Sequence, residues 1–414
     1  MTVAHDAPAL AEYGIRGAVP GAVVRPGRPE EVASLLQTAD EAGQKVVPWG
    51  AGTKQQWGNS PTGYDVAVDL TALDQLVEYE PADLVVTVQA GMTLAALQSH
   101  LAESGQFLPL DPPHLDRATI GGTLATNASG PSRLLYGTAR DFVLGLRVAT
   151  PQGELVKSGG RVVKNVVGYD LNKLHVGGFG TAGIVVEATF KVQPLPAAQT
   201  TVRATFQDLA PAVGLASRVA RSNLFPRAVE VARHFAGSEW IVLVWCAGAA
   251  GAVERQVRDV DAWARELGAS DLSRRDGDQH DQIWSQWAPS FARRDAGPGL
   301  AAIKLTCLPS QLAVLLARVP HDAGLLAHAG SGTVYVGLSA PAAAGVRRLA
   351  AVAHELGGSA VLEDAPDDLK AQLDSWDPAG LAAATRTDLD LMRAVKAQFD
   401  PKSTLNPGRF VAGI

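Results

Sequence analysis

The placing of glycines constrains this chain more than any other feature. Three clusters stand out, Pro48 to Thr53 (PWGAGT), Ala118 to Gly130 (ATIGGTLATNASG) and Gly177 to Gly183 (GGFGTAG), each next to an apolar run. Glycine reaches positive φ without a Cβ penalty and lets main-chain amides approach a ligand closely. Successive amides aimed at one point make an anion nest, for which a diphosphate is the natural occupant. A single cluster is as well read as a tight turn; three together favour a dinucleotide. The GxGxxG spacing of nicotinamide-binding folds is not met by Gly50, Gly52 and the TKQQWG that follows, and the Walker pattern is absent.

Around these clusters the chain reads as α+β. Pro29, Glu30 and Glu31 suit a first helical turn, Val32, Leu35, Leu36 and Ala39 form a stripe, and Gly43 ends it. Val46 and Val47 open a strand. The β-branched run Leu84 to Gln89 precedes a helix whose Leu94, Leu97 and Leu101 share one face after Thr93. From Ile184 to Gln193 apolar and polar residues alternate, which predicts a half-buried strand. After Pro194, Leu195 and Pro196 glycines thin out and arginines rise. Strands Trp240 to Cys246 and Ala302 to Leu308 and the helix Gly251 to Leu267 then alternate, and Arg386 to Phe399 reads as an amphipathic helix before the loop LNPGRF. This divides the chain into a first domain over 1–196, a second over 197–385 and a C-terminal segment over 386–414.

Composition removes several functions. The net charge of −6, from 36 basic and 42 acidic residues without blocks of one sign, leaves no footprint for nucleic acid. Only Cys246 and Cys307 are present, too few for a disulfide framework or an iron–sulfur cluster held by this chain alone, and they suit a reducing cytoplasm. No segment is apolar and long enough to span a bilayer, and the start lacks a secretory signal, so membrane association would be peripheral.

The motifs PWGAGT, ATIGGTLATNASG, YGTARDFVLGLRV, KNVVGYDLNKL, GGFGTAGIVVEATFKV and FDPKSTLNPGRF resemble the FAD-binding domain of the vanillyl-alcohol-oxidase-type flavoproteins. The run LDPPHLDRATIGGTLATNASGPSRLLYG into RDFVLG is similar to the E subunits of bacterial glycolate oxidases. The resemblance covers about Pro26 to Pro196 and the last dozen residues. It implies a PCMH-type FAD-binding domain of two α/β subdomains, plus an α+β cap domain. It also implies FAD contacts from Pro48, Gly50, Ala51, Gly52 and Thr53 at the pyrophosphate, and from Pro112, Thr119, Gly121, Gly122, Asn127, Ser129 and Gly130 along the other side. Gly183, Ile184 and Val185 would serve the adenine end, Tyr169 the wall near the flavin, and Asn406 the C-terminal edge. Covalently flavinylated relatives carry a histidine or cysteine in or near these loops. GAGTKQQW has neither, so non-covalent FAD is expected, with His114 the one exception to consider.

Relatives that oxidise D-2-hydroxy acids hold a metal through an HxGDGNxH segment and a later glutamate followed by a histidine. The matching stretch here is His328 to Tyr335, where the second ligand has become Tyr335, and in the later motif, Leu362 to Asp364, Glu363 is kept while the residue after it is the acid Asp364. A phenol is a poor substitute for imidazole at neutral pH, so no metal site is expected. Trp287 stands where relatives carry a carboxylate-gripping arginine, and Arg293 and Arg294 read as surface charges. Lys304, His328, Tyr335 and Glu363 are the catalytic candidates, against the commoner meaning of a strand lysine and a structural histidine.

The expectation is a cytoplasmic FAD-binding subunit of a glycolate oxidase-type complex, at the inner face of the membrane through its partners. It would act on a small 2-hydroxy acid beside a catalytic FAD-binding homologue and an iron–sulfur subunit. The alternatives are a self-sufficient FAD-dependent dehydrogenase or oxidase of another hydroxy acid or alcohol, and a non-redox scaffold.

Overall fold

The computed structural model describes residues 2–4, 7–161, 169–286, 299–381 and 386–414. The KNVVG half of one motif, Trp287, Arg293 and Arg294 fall outside them. The chain forms two compact units. The first comprises Met1–Ser129, Thr138–Leu195 and Ala382–Ile414; the second comprises Gly130–Gly137 and Pro196–Leu381. The excursion Gly130–Gly137 is not apparent from sequence, because the contacts that draw it into the second unit come from residues far along the chain. Its short helix Arg133–Tyr136 is held there by Ser132, whose hydroxyl accepts from Arg227 Nε at 2.7 Å.

The first unit begins with a four-stranded sheet in the order β1-β2-β4-β3. Its strands are β1 (Thr2–Ala4), β2 (Ala22–Arg25), β3 (Val46–Trp49) and β4 (Val66–Asp69). β2 and β3 both run parallel to β4. The helix Pro29–Glu41 makes the crossover, with proline at its start, acids in its first turn and Val32, Leu36 and Ala39 buried.

A second, antiparallel sheet follows in the order β5-β6-β10-β8-β9. These are β5 (Leu76–Glu80), β6 (Val85–Gln89), β8 (Val143–Ala149), β9 (Leu155–Gly159) and β10 (Ile184–Lys191), with β7 (Gln106–Phe107) and β11 (Gln193–Pro194) pairing separately. The alternation in β10 predicted a half-buried strand, but nearly all of it is buried. β10 is central in its sheet, and its polar positions find partners: Thr189 Oγ1 meets Thr87 Oγ1 at 2.9 Å, and Glu187 pairs with Arg147 at 3.1 Å. Polar residues on the second face were therefore matched polar groups and not a solvated side.

The second unit is one eight-stranded antiparallel sheet in the order β15-β12-β14-β13-β17-β18-β16-β19. The strands are β12 (Ala198–Phe206), β13 (Ala228–Arg233), β14 (Trp240–Gly248), β15 (Asp271–Arg275), β16 (Ala301–Thr306), β17 (Gly324–His328), β18 (Thr333–Leu338) and β19 (Ala360–Asp364). Helices Leu209–Ala220, Ala250–Glu266 and Ala343–Glu355 pack their apolar stripes on the face that carries Val202, Val231, Val244, Ile303, Ala327 and Val336. Because side chains alternate along a strand, Glu230, His328, Tyr335 and Lys304, each next to residues of that core, project from the other face.

Candidate functional site

In the first unit, β3 ends at Trp49 and the chain enters the turn Gly50 to Gln55. This turn, the start of the helix Ile120–Thr126, the turn before β10 and the C-terminal loop line a common cleft. Glycine is required on geometric grounds at two positions. A Cβ at Gly50 would sit 2.3 Å from Thr119 Oγ1, and Gly52 adopts φ +70°. Thr119 is itself fixed, because its Oγ1 accepts from Gly122 N at 3.3 Å and caps the helix. Among the described residues the amides of Ala51, Gly52 and Thr53 have no acceptor within the protein. Three consecutive donors beside a helix N-terminus suit an anion, and buried Lys54 lines the same wall.

The C-terminal loop is tied in by main chain. Val46 N donates to Thr404 O and Asn406 N donates to Val46 O, both at 2.8 Å, so Leu405 extends the first sheet beside β3. The loop is held by a buried ion pair, Lys396 Nζ to Asp400 Oδ2 at 2.6 Å, and Lys396 also donates to Thr181 O and Leu405 O. Burial lowers the Lys396 pKa, with Asp400 opposing that shift. Asn406 sits at φ +49°, a conformation asparagine tolerates, and its amide donates to Phe179 O. Arg409, 1% exposed, clamps the first turn by donating to Gln55 Oε1 at 2.7 Å, Gln55 O at 2.6 Å and Trp57 O at 3.0 Å. Burial pushes its pKa down to about 10. It also lies over the Phe179 ring at 5.1 Å.

Of the residues expected at the cofactor, Pro48, Gly50, Ala51, Gly52, Thr53, Thr119, Gly121, Gly122, Gly183, Ile184, Val185 and Asn406 line the cleft. Pro112, Asn127, Ser129, Gly130 and Tyr169 do not. Asn127 instead ends the helix Ile120–Thr126 at φ +45°, and Gly130 belongs to the second unit. Tyr169 is 94% exposed, so it supports no wall. His114 does not line the cleft either, and stands in a turn at φ +61°. Lys54, Gln55, His175, Phe179 and Arg409, not expected from the sequence, also line it. For Lys54 and Gln55 the usable signal was a cation and an amide inside a glycine turn. For Arg409 it was a lone arginine in NPGRF.

His175 is buried in the cleft wall, edge-on to Phe399 with centroids 6.3 Å apart. Burial lowers its pKa to about 4, so the ring is neutral at pH 7. These features together fit FAD. The amide turn and Lys54 would hold the diphosphate, the main chain at Ile184 and Val185 the adenine end, and Asn406 the C-terminal edge.

The catalytic candidates lie together in the second unit on the polar face of its sheet. β13 and β17 pair so that Glu230 stands directly opposite His328, and β16 and β18 pair so that Lys304 stands opposite Tyr335. His328 Nδ1 meets Glu230 Oε2 at 2.7 Å; both residues are buried, at 2% and 1% exposure. The ring of Tyr335 is edge-on to His328 at 5.4 Å. Burial lowers the Lys304 pKa, while Glu363 raises it and Arg133 lowers it further. Among the described residues no group of three histidine, cysteine or acidic side chains is arranged to hold a metal. Glu230 occupies only Nδ1 of His328; what does not fit the relatives' metal is Tyr335 at the position that corresponds to their second histidine, since a neutral phenol is a poor ligand. Glu230 was missed, though an acid flanked by Val229 and Val231 was a signal of a paired, inward polar group.

Comparison with known proteins gives the same picture. Residues 20–159 match the FAD binding domain family, and residues 379–410 match the C-terminal domain of the FAD linked oxidases. The chain is 30% identical to glycolate oxidase subunit GlcE of Escherichia coli, over 92% of this chain and 97% of the relative. It is 27% identical to glycolate oxidase subunit GlcD of Bacillus subtilis, over 95% and 89%, and 28% identical to D-2-hydroxyglutarate dehydrogenase of Xanthomonas citri pv. viticola, over 94% and 89%. A solved structure of alkyldihydroxyacetonephosphate synthase superposes with a TM-score of 0.73 at 18% identity, covering 97% of this chain and 82% of that one, and so shares the fold.

Proposed function

The chain belongs to the family of FAD-linked oxidases, and from that premise we propose that it is the FAD-binding subunit of a 2-hydroxy-acid-oxidising complex of the glycolate oxidase type. Its cofactor is FAD and its class is oxidoreductase. In this reading glycolate becomes glyoxylate, the partners are a catalytic FAD-binding homologue and an iron–sulfur subunit, and electrons leave toward a quinone or another acceptor. Bound FAD supplies the two-electron acceptor. The chain's own residues supply the rest. The turn Gly50 to Thr53 anchors the diphosphate without a covalent link. Lys304, whose charge Glu363 favours, draws the acid's carboxylate, and His328, with Tyr335 beside it, engages the hydroxyl.

The observation that carries this reading is a glycine-walled cleft with three consecutive amides free to bind an anion, in a chain that carries Tyr335 where the resembling relatives have a second histidine. Among the described residues no helix is long and apolar enough to cross a membrane, so a place at its inner face would come through partner chains. The test is anaerobic addition of glycolate to the purified chain, alone and reconstituted with its partner subunits. The reading expects flavin in both samples and rapid bleaching only in the complex. Brisk glycolate or D-lactate oxidation by the chain alone would overturn it. That outcome would favour a self-sufficient dehydrogenase, for which the buried Glu230–His328 pair is the supporting feature. A folded protein that takes up no FAD would leave the scaffold.

A further inference from the structure

The groups on the polar sheet face of the second unit do more than mark a lost metal site. Glu230 and His328 come from neighbouring strands, 98 residues apart in the chain, and meet through Nδ1 and Oε2 at 2.7 Å. A carboxylate only accepts, so Nδ1 carries the hydrogen, and in the neutral ring Nε2 is left as an acceptor. Nε2 is buried and has no protein partner among the described residues. A buried polar atom left without a hydrogen bond destabilises the fold, so its retention calls for a ligand. The Tyr335 ring stands edge-on to the imidazole, and Lys304 lies on the same sheet face one strand further on, directly opposite Tyr335. One acceptor and one cation on a common face match a small molecule that carries a hydroxyl and a carboxylate.

We propose that Glu230 and His328 form a metal-independent hydroxyl-binding pair for a small 2-hydroxy acid. Glu230 is the positioning residue: it fixes the ring and its tautomer, and His328 Nε2 accepts from the ligand hydroxyl. Lys304 draws the carboxylate. The inference deepens the proposed function by giving the chain a hydroxy-acid site of its own that uses no divalent ion, and it rests on that reading.

The test is calorimetric titration of glycolate into the FAD-loaded protein, before and after exhaustive treatment with EDTA. It is paired with nitrogen-15 NMR of the histidine rings. The pair predicts equal binding in the two samples, and a Nδ1–H tautomer at His328 whose Nε2 signal moves when glycolate is added. His328→Ala and Glu230→Ala should each weaken glycolate at least about tenfold with FAD content unchanged. Glu230→Gln, which keeps an acceptor for Nδ1–H, should stay within about threefold of the parent. A glycolate affinity lost with EDTA and restored by zinc or manganese overturns the proposal. So does a Nε2–H tautomer in the unmodified protein, a readout that holds even if a variant fails to fold. So too does a Glu230→Ala variant that melts earlier but binds glycolate normally. A protein without flavin would instead overturn the family-based reading, and FAD content measured in each sample separates the two failures.

Discussion

The two units meet polar ligand groups in opposite ways. In the first, recognition is built from main chain: the amides of Ala51, Gly52 and Thr53 lie in one short turn, shaped by Thr119 from one side and Arg409 from the other. In the second it is built from side chains that strand register brings together, Glu230 against His328 and Lys304 against Tyr335. A main-chain site depends in part on what is absent, because a Cβ at Gly50 would meet Thr119 and Gly52 takes a positive φ. A side-chain site depends on what is present, and can change its chemistry one residue at a time.

The comparison breaks first at Gly50. Gly50→Val places a branched side chain where even a Cβ lies 2.3 Å from Thr119 Oγ1. FAD affinity should fall by about a thousandfold, roughly 4 kcal/mol, because the turn and the helix start would both have to shift. Flavin fluorescence titration of the apoprotein measures it, with circular dichroism to establish that the fold is kept. A variant that still purifies with stoichiometric FAD would separate the cleft from the cofactor.

A smaller effect concerns His175. Its folded pKa is about 4 against an ordinary 6.5, because burial disfavours the charged ring. The unfolded chain therefore binds the extra proton first. Stability from this group is complete above pH 6.5, is lost as pH falls through 6.5 toward 4, and levels below that. The loss over that window should approach about 3 kcal/mol. Urea unfolding of the apoprotein across the window, compared with His175→Phe, measures it. The substitution should remove that part of the pH slope, and an unchanged slope would mean that the ring is hydrated in the cleft.

The smallest effect is expected at Tyr169. At 94% exposure it touches no cleft wall, so Tyr169→Ala should leave FAD affinity within about twofold, as is usual for an exposed site. A larger loss in the same titration would return this residue to the cofactor site.

The two kinds of site also differ in how far they could be read from the sequence. The glycine turns were legible because few residues can occupy such backbones, so Gly50, Gly52, Gly121 and Gly183 announced the cleft before any fold was known. Strands such as Trp240–Gly248 and helices such as Ala250–Glu266 and Arg386–Phe399 followed from apolar periodicity. Glu230 did not follow, since its partner lies 98 residues away and only register joins them. Arg409 was hidden for the same reason: its contacts to Gln55 and Trp57 span more than 350 residues. Tyr169 and Gly130 were misplaced because a motif's likeness gives order along the chain and not the direction in which a side chain faces.

The most direct test of the account is the visible spectrum of the purified chain, followed by acid precipitation and separation of the supernatant. The account predicts a flavin spectrum in the native protein and the whole flavin, identified chromatographically as FAD, in the supernatant. A colourless protein that cannot be loaded with FAD, or a yellow pellet that retains its flavin covalently, would contradict it.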